Sequence, residues 1–182
     1  MESVTEFVVL VSEEGTPIGT ADKATVHTTD TALHLAFSCH VFNEAGEILV
    51  TRRALSKKTW PGVWTNSFCG HPAPDEHPED ALHRRAREEL GFVVTDVAPA
   101  LPDFRYRAVD ASGVVEYEIC PVFVARAASD PVPEPDEVCE FEWADPRALL
   151  AAVEATPWAF SPWITLQLPA LNAAGFIPPT AS

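Results

Sequence analysis

The sequence predicts an α/β (α+β) fold with a mixed sheet, in a single domain over residues 1–182 with its core from about 5 to 175. Three observations predict it. Short runs of β-branched and aromatic residues alternate with amphipathic stretches that carry helix caps, so strands and helices are interleaved. The chain has 182 residues, 47% of them apolar, and five tryptophans, enough for one compact core. No internal repeat is present. The proline-rich stretch SDPVPEPDE (129–137) is too short to link two domains.

Taken in order, EFVVLV (6–11) reads as a strand and EEGTPIG as the turn after it. LHLAFSCHVFN (33–43) and EILVTRR (47–53) flank Asn43-Glu44-Ala45-Gly46, which makes a hairpin. Residues 54–77 lack periodicity and carry Pro, Gly and Trp, so they read as a long loop. Trp60, Trp64, Phe68 and Cys69 argue that this loop is ordered, and ordered loops of such length are usually functional. HPEDALHRRAREELG (77–91) reads as a helix. Pro78 suits its first turn, acids follow, Leu82, Ala86 and Leu90 form an i, i+4 stripe, and Gly91 suits the C-terminal cap. VVEYEICPVFVA (114–125) reads as one long strand and VCEFEWA (138–144) as another. DPRALLAAVEA (145–155) and SPWITLQLPALNAA (161–174) read as helices, the second interrupted by Pro169.

The formal net charge of −15 argues against generic binding to nucleic acid or to anionic membranes. No run of about 18 uncharged apolar residues is present to cross a bilayer. Cys39, Cys69, Cys120 and Cys139 are scattered, with no CxxC pair. The opening MESVTEFVVLVSEEG has no basic start and no long apolar stretch, so reduced thiols in the cytoplasm are expected. Cys120 and Cys139 fall in strand runs and read as core residues. Size and acidity are compatible with a monomer. Of the 12 Lys and Arg, ten are Lys23, Arg52, Arg53, Lys57, Lys58, Arg84, Arg85, Arg87, Arg105 and Arg107. They read either as ordinary surface bases or as one local anion site.

Residues with chemistry gather at TNSFCGHP (65–72) and beyond. Cys69 admits four readings: nucleophile, metal ligand, proton carrier or buried thiol. By composition, the helix after it is a solvated one with i, i+4 pairs Arg84–Glu88 and Arg85–Glu89. Alternatively, a carboxylate there holds Mg²⁺, and Mg²⁺ holds a diphosphate. Glu116 and Glu118 lie two apart, on one face of an otherwise apolar strand, a costly arrangement unless a cation joins them. With His27, His34 and His71 they make a donor set that suits Mn²⁺ or Zn²⁺. Spacing alone cannot join these five, which come from four segments.

The run Gly70-x5-Glu76-x7-Arg84-Arg85-Ala86-Arg87-Glu88-Glu89-Leu90-Gly91-Phe92 resembles the Nudix box, G-x5-E-x7-R-E-U-x-E-E-x-G-U with U apolar. It departs where Arg85 replaces a Glu and where Ala86 is small. The resemblance implies a mixed sheet sandwiched between helices and divalent-metal chemistry on a diphosphate. The departure removes a carboxylate that a Nudix diphosphohydrolase would use. TNSFCGHP, RRAREELG, FRYRAVDASGVVEYE (104–118), FSPW (160–163) and TRRALSKKTWPGVWTN (51–66), following Lys23, His27 and His34, together resemble the type I isopentenyl-diphosphate isomerase family. This likeness runs from about residue 5 to about 175. It implies that Cys69 and Glu118 are the acid–base pair, with Tyr106 beside Glu118 and Trp163 lining the hydrocarbon end. It assigns a tightly held Mn²⁺ or Zn²⁺ to His27, His34, His71, Glu116 and Glu118. It also assigns Mg²⁺, carried with the substrate diphosphate, to Glu89 and the Cys69 backbone carbonyl. The diphosphate cations would be Lys23, Arg53, Lys57 and Arg85.

The chemistry expected of such a family, a step of isoprenoid biosynthesis, is demanding. Moving an unactivated double bond requires a proton added at one carbon and another removed two carbons away, through a tertiary cation that water would trap. That calls for a dry apolar pocket with a charged mouth. It calls for an aromatic face, worth about 0.5–2 kcal/mol to a cation, and for two proton carriers on opposite faces of the allyl unit. A Nudix diphosphohydrolase and a non-catalytic diphosphate- or metal-binding domain are the rival readings. Neither needs Cys69, Glu118 and Trp163 together.

Overall fold

The computed structural model describes residues 5–179. Among these, β2 (Pro17–Asp22), β1 (Phe7–Val11), β3 (His34–Leu35), β10 (Val115–Ile119) and β9 (Arg105–Val109) form, in that order, one sheet. A second sheet runs β12 (Val138–Ala144), β5 (Ile48–Arg53), β4 (Phe37–Phe42), β11 (Val122–Arg126) and β8 (Thr95–Leu101). Onto it β6 (Trp64–Thr65) pairs at β5 and β7 (Phe68–Gly70) pairs at β4. The helices are α1 (Pro78–Leu90), α2 (Pro146–Ala155) and α3 (Pro162–Ala173).

The two long apolar stretches expected around 33–43 and 114–125 are both extended, yet each is broken once and passes from one sheet to the other. They run parallel to each other throughout: Glu118 pairs with His34 in the first sheet, and Val122 with Ser38 in the second. The break falls at Ala36 in one stretch and at Cys120-Pro121 in the other. Pro121 has no N–H to give to a ladder, while its carbonyl accepts from Ser38 N at 3.1 Å and Ala36 N donates to Ile119 O at 2.9 Å. Backbone bonds thus stay satisfied across the switch.

The second sheet is covered on both faces. Strand alternation sends Leu49 to one side and Ile48 and Val50 to the other. On the first side α1 packs Ala81, Leu82, Ala86 and Leu90, all fully buried, against Phe37, Val41 and Phe68. On the second, Leu149, Leu150 and Val153 of α2 join Ile164, Leu168 and Leu171 of α3. Each Leu, Ile, Val or Phe among these contributes about 1.5–3 kcal/mol on removal from water.

Several elements differ from expectation. The turn after β1 gives way to β2 at Pro17, and the 54–77 loop contains β6 and β7. β8 and β9 were not anticipated. β8 holds Pro99 and is an edge strand, where a missing N–H is tolerated, and β9 is the exposed edge of the other sheet. α3 continues through Pro169. A mid-helix proline costs about 3 kcal/mol, and the complete burial of Ile164, Leu168 and Leu171 offsets it. Cys120 is buried as expected, whereas Cys139 is exposed on the edge strand β12.

Candidate active site

A cavity of about 630 Å³ is lined from both sheets, from α1 and from α3. Twelve of the thirteen residues singled out above line it: Lys23, His27, Arg53, Lys57, Cys69, His71, Arg85, Glu89, Tyr106, Glu116, Glu118 and Trp163. His34 is wholly buried and does not line the cavity. The volume lies in the range that encloses a small ligand.

The histidines converge. Parallel pairing sets His34 on β3 level with Glu118 on β10, His27 comes from the loop before β3, and His71 follows β7. One donor atom from each of His27, His34, His71 and Glu118 lies within 4.8 Å of all the others. Glu118 Oε1 is 3.0 Å from His71 Nε2 and 3.4 Å from His34 Nε2. His34 Nδ1 donates to Ala32 O at 2.8 Å, which leaves Nε2 as a lone pair. The buried Nε2 atoms of His27 and His34 make no hydrogen bond of acceptable geometry. Orphaned imidazole nitrogens aimed at a shared carboxylate suit a divalent cation, so the donor set fits one. Glu116 stands outside this group of four. Its Oε2 is 3.0 Å from His27 Nε2, and its Oε1 accepts from Thr59 Oγ1 at 2.9 Å.

The electrostatics follow from burial and company. Burial lifts the Glu118 carboxyl, but the neighbouring His34 and His71 imidazoles, His71 with a 3.0 Å hydrogen bond, more than reverse this, holding it well below the usual carboxylate range. Burial lowers His71, with Glu118 opposing. His34 is raised because Glu118 overcomes its burial. Tyr106 donates to Glu118 Oε2 at 3.0 Å, and burial, then the Glu118 charge, keeps its phenol protonated.

Cys69 sits on β7 opposite Ser38 of β4. Its sulfur is 3.2 Å from Ser38 Oγ and 3.3 Å from Asn66 Oδ1. Burial pushes the thiol up to about 12, against opposing bonds from Ser38 and Asn66, so it is a thiol at neutral pH. It packs with Tyr106, Trp163, Cys120 and Trp60 in an apolar cluster separate from the two helix-facing cores. Trp163 donates Nε1–H to Asn66 Oδ1 at 2.9 Å and meets Trp60 edge to face, ring centroids 5.5 Å apart. The Arg53 guanidinium lies 5.2 Å from the Trp163 ring centroid, tied to the Thr59 and Trp60 carbonyls.

The remaining charges form a network. Arg85 meets Glu89 at 2.8 Å, Glu88 at 3.3 Å and Glu137 at 3.6 Å, and Lys57 pairs with Glu137. Both i, i+4 pairs expected of the helix are present, Arg84–Glu88 at 3.2 Å being the other. Arg85 is raised despite its burial, because Glu89 and Glu137 stabilise its charge, while Glu89 is raised by burial. Arg85 is shared among three carboxylates and repays Glu89 only in part. Lys23 pairs with Glu6 at 2.5 Å. Arg52 and Arg105 pair with Glu140 and Glu13 on the surface, so the ten bases divide between cavity and surface.

Sequence reasoning missed Asn66, Ser38, Gln167 and Glu137. Asn66 was visible within TNSFCGHP, Ser38 and Gln167 as lone polar residues in apolar runs, and Glu137 closes the proline-rich connector.

The family model of the NUDIX domain matches residues 32–164. Curated relatives named isopentenyl-diphosphate Delta-isomerase include one from Leifsonia xyli subsp. xyli, 70% identical over 93% of this chain and 92% of that protein. Another, from Clavibacter michiganensis subsp. michiganensis, is 67% identical over 94% and 88%, and one from Corynebacterium glutamicum is 61% identical over 93% of each. The fold is shared with the crystal structure of DR0079 from Deinococcus radiodurans, at 21% identity, TM-score 0.71, covering 90% of this chain and 98% of that one. With identity of this degree spanning nearly the whole chain, and a Nudix helix whose acid-to-arginine change is built into the cavity, the chain belongs to the Nudix superfamily and, within it, to the isopentenyl-diphosphate Delta-isomerase family.

Proposed function

We propose that the chain interconverts isopentenyl diphosphate and dimethylallyl diphosphate by protonation and deprotonation, as one catalytic unit. The observation that carries this reading is the meeting of Cys69, Glu118 and Trp163 on a cavity that also receives Lys23, Arg53, Lys57 and Arg85. A hydrolase has no use for the first three.

Cys69 and Glu118 are the proton carriers. At neutral pH the free protein holds a proton on Cys69 and a negative charge on Glu118, so one donor and one acceptor stand ready, and the reverse reaction exchanges their roles. Tyr106 orients the Glu118 carboxylate through its 3.0 Å bond. Trp163, fixed by Asn66, offers its ring to the developing cation. Arg85, Arg53, Lys57 and Lys23 bind the diphosphate, and the apolar cluster excludes water from the carbon skeleton.

His27, His34, His71 and Glu118 would hold the tight divalent ion, Mn²⁺ or Zn²⁺, with Glu116 alongside. Glu89 and the Cys69 carbonyl would hold Mg²⁺ brought by the diphosphate. When bound, these ions supply fixed positive charge beside Glu118 and neutralise the diphosphate. We take the protein to be a cytoplasmic monomer acting on a small molecule, without nucleic acid or membrane partners. No described helix is long and apolar enough to cross a bilayer.

The test is NMR of isopentenyl diphosphate with protein, Mg²⁺ and trace Mn²⁺ or Zn²⁺ in D₂O. Deuterated dimethylallyl diphosphate with its diphosphate intact is expected. Release of phosphate or a monophosphate would instead identify a diphosphohydrolase, and binding without turnover a binding module. Cys69→Ala should lower kcat by about 10²–10⁴-fold, the usual worth of a positioned proton carrier, with metal content unchanged.

A further inference from the structure

Behind Cys69 lies a chain of polar side chains that the proposed reaction does not use. Ser38, His40 and Gln167 are each fully buried. His40 Nε2 is 2.9 Å from Gln167 Oε1, Gln167 Nε2 is 2.9 Å from Ser38 Oγ, and Ser38 Oγ is 3.2 Å from Cys69 Sγ and 3.3 Å from Cys120 Sγ.

The donor inventory gives this chain a direction. A carboxamide oxygen only accepts, so His40 carries its proton on Nε2 and donates to Gln167. The other ring nitrogen is then a lone pair, in keeping with a buried Nδ1 that has no partner. The Gln167 amide donates to one lone pair of the Ser38 oxygen. Cys120, whose thiol burial keeps protonated, donates to the other. The single Ser38 hydroxyl proton is left for Cys69 Sγ.

On the other side of that sulfur the geometry is equally constrained. Asn66 Nδ2 is committed to the carbonyls of Cys39 at 3.1 Å and Phe68 at 2.8 Å. Its Oδ1 therefore faces Cys69 and can only accept. The sulfur stands between one fixed donor and one fixed acceptor.

We infer that Ser38 is a positioning residue for the reaction: its hydroxyl, aimed by Gln167 and His40, donates to Cys69 Sγ and holds the sulfur at its working place on the cavity wall. This rests on the reading of Cys69 as a proton carrier. A sulfur freed from that bond can rotate about its side chain, and a misplacement on the order of 1 Å costs about 10²-fold in rate.

The experiment is steady-state isomerisation of isopentenyl diphosphate by the metal-loaded wild-type enzyme, Cys69→Ala, Ser38→Ala, Gln167→Leu and the Ser38→Ala/Gln167→Leu double variant, each with a thermal midpoint and metal content. Ser38→Ala should lower kcat by about 10–100-fold while KM stays within about twofold. Gln167→Leu should act in the same direction. Because Gln167 works through Ser38, adding Gln167→Leu to Ser38→Ala should lower kcat no further, a pattern that mere loss of packing does not produce. Should Gln167→Leu fail to fold, Gln167→Met, of similar length, supplies the cycle. Ser38→Ala with wild-type kcat, or additive losses in the double variant, would overturn the inference. A fully active Cys69→Ala would instead overturn the reading on which it rests.

Discussion

At the scale of single residues, the site is a contest between burial and pairing. Glu118 is 5% exposed and burial raises its carboxyl, yet the His34 and His71 imidazoles hold it well below the usual carboxylate range, and the Tyr106 hydroxyl donates to it. Cys69 has only neutral hydrogen-bond partners, and burial wins. The two proposed proton carriers on one cavity thus rest in opposite states. His34 has a different task, since its Nδ1 bond to Ala32 fixes its tautomer. His34→Ala should strip most of the metal proposed for this cluster, an affinity loss beyond the 10–100-fold typical when only a residue supporting a ligand is changed. Elemental analysis after gel filtration checks this, and retained stoichiometric metal would remove His34 from the ligand set.

At the scale of elements, β7 lies directly against α1. A Cβ on Gly70 would stand 2.7 Å from both Arg85 Cγ and Phe37 Cζ, so only glycine lets the strand carrying Cys69 lie against the helix carrying Arg85 and Glu89. Gly70→Ala should destabilise by about 1–3 kcal/mol through overpacking, lowering the thermal midpoint by roughly 2–12 °C. An unchanged midpoint by calorimetry would show that α1 yields freely. The helix is held elsewhere by its caps: His77 accepts from Glu79 N, and Gly91, at φ 64°, takes the left-handed conformation that ends it. A side chain at Gly91 would also meet Val132 O at 2.7 Å.

At the scale of the whole molecule, a net charge of −15 surrounds a cavity that gathers Lys23, Arg53, Lys57, Lys58 and Arg85. With a screening length of about 8 Å at physiological salt, an entering diphosphate responds to the charges that line the cavity, these five cations together with the carboxylates of Glu6, Asp22, Glu89, Glu116, Glu118 and Glu137, more than to the distant acids. Stability has its own pH dependence through His40. Burial lowers its pKa from 6.5 to about 4. The unfolded chain therefore takes up a proton below about 6.5 that the folded chain refuses, so this contribution is intact above 6.5 and is lost as pH falls towards 4. The loss amounts to about 3 kcal/mol at 1.36 kcal/mol per unit. Urea midpoints at pH 7 and pH 4.5 should separate more for the wild type than for His40→Gln, which has no such group to titrate. Equal separations would remove His40 as the cause.

Much of this was legible without coordinates, for physical reasons. The 77–91 helix announces itself because capping and i, i+4 periodicity are local. Cys69, Glu118 and the Nudix spacing stand out because they fall in runs that resemble a known family, and the proposed chemistry uses those side chains. Non-local pairing was not legible. Nothing in LHLAFSCHVFN or VVEYEICPVFVA marks the exchange between sheets, save Pro121, whose missing N–H acts only once a partner strand is known. The same pairing sets His34 level with Glu118 and Ser38 against Cys69, so histidines from separate segments meet only in the folded chain. Glu137 looked like part of a connector because its partners, Lys57 and Arg85, lie far away in sequence. Which atoms can carry protons, bind a cation or cap a helix is readable along the chain, since these are properties of side chains and near neighbours. Which of them share a cavity, and in which protonation state, emerges on folding, because burial and the charges of sequence-distant partners set both.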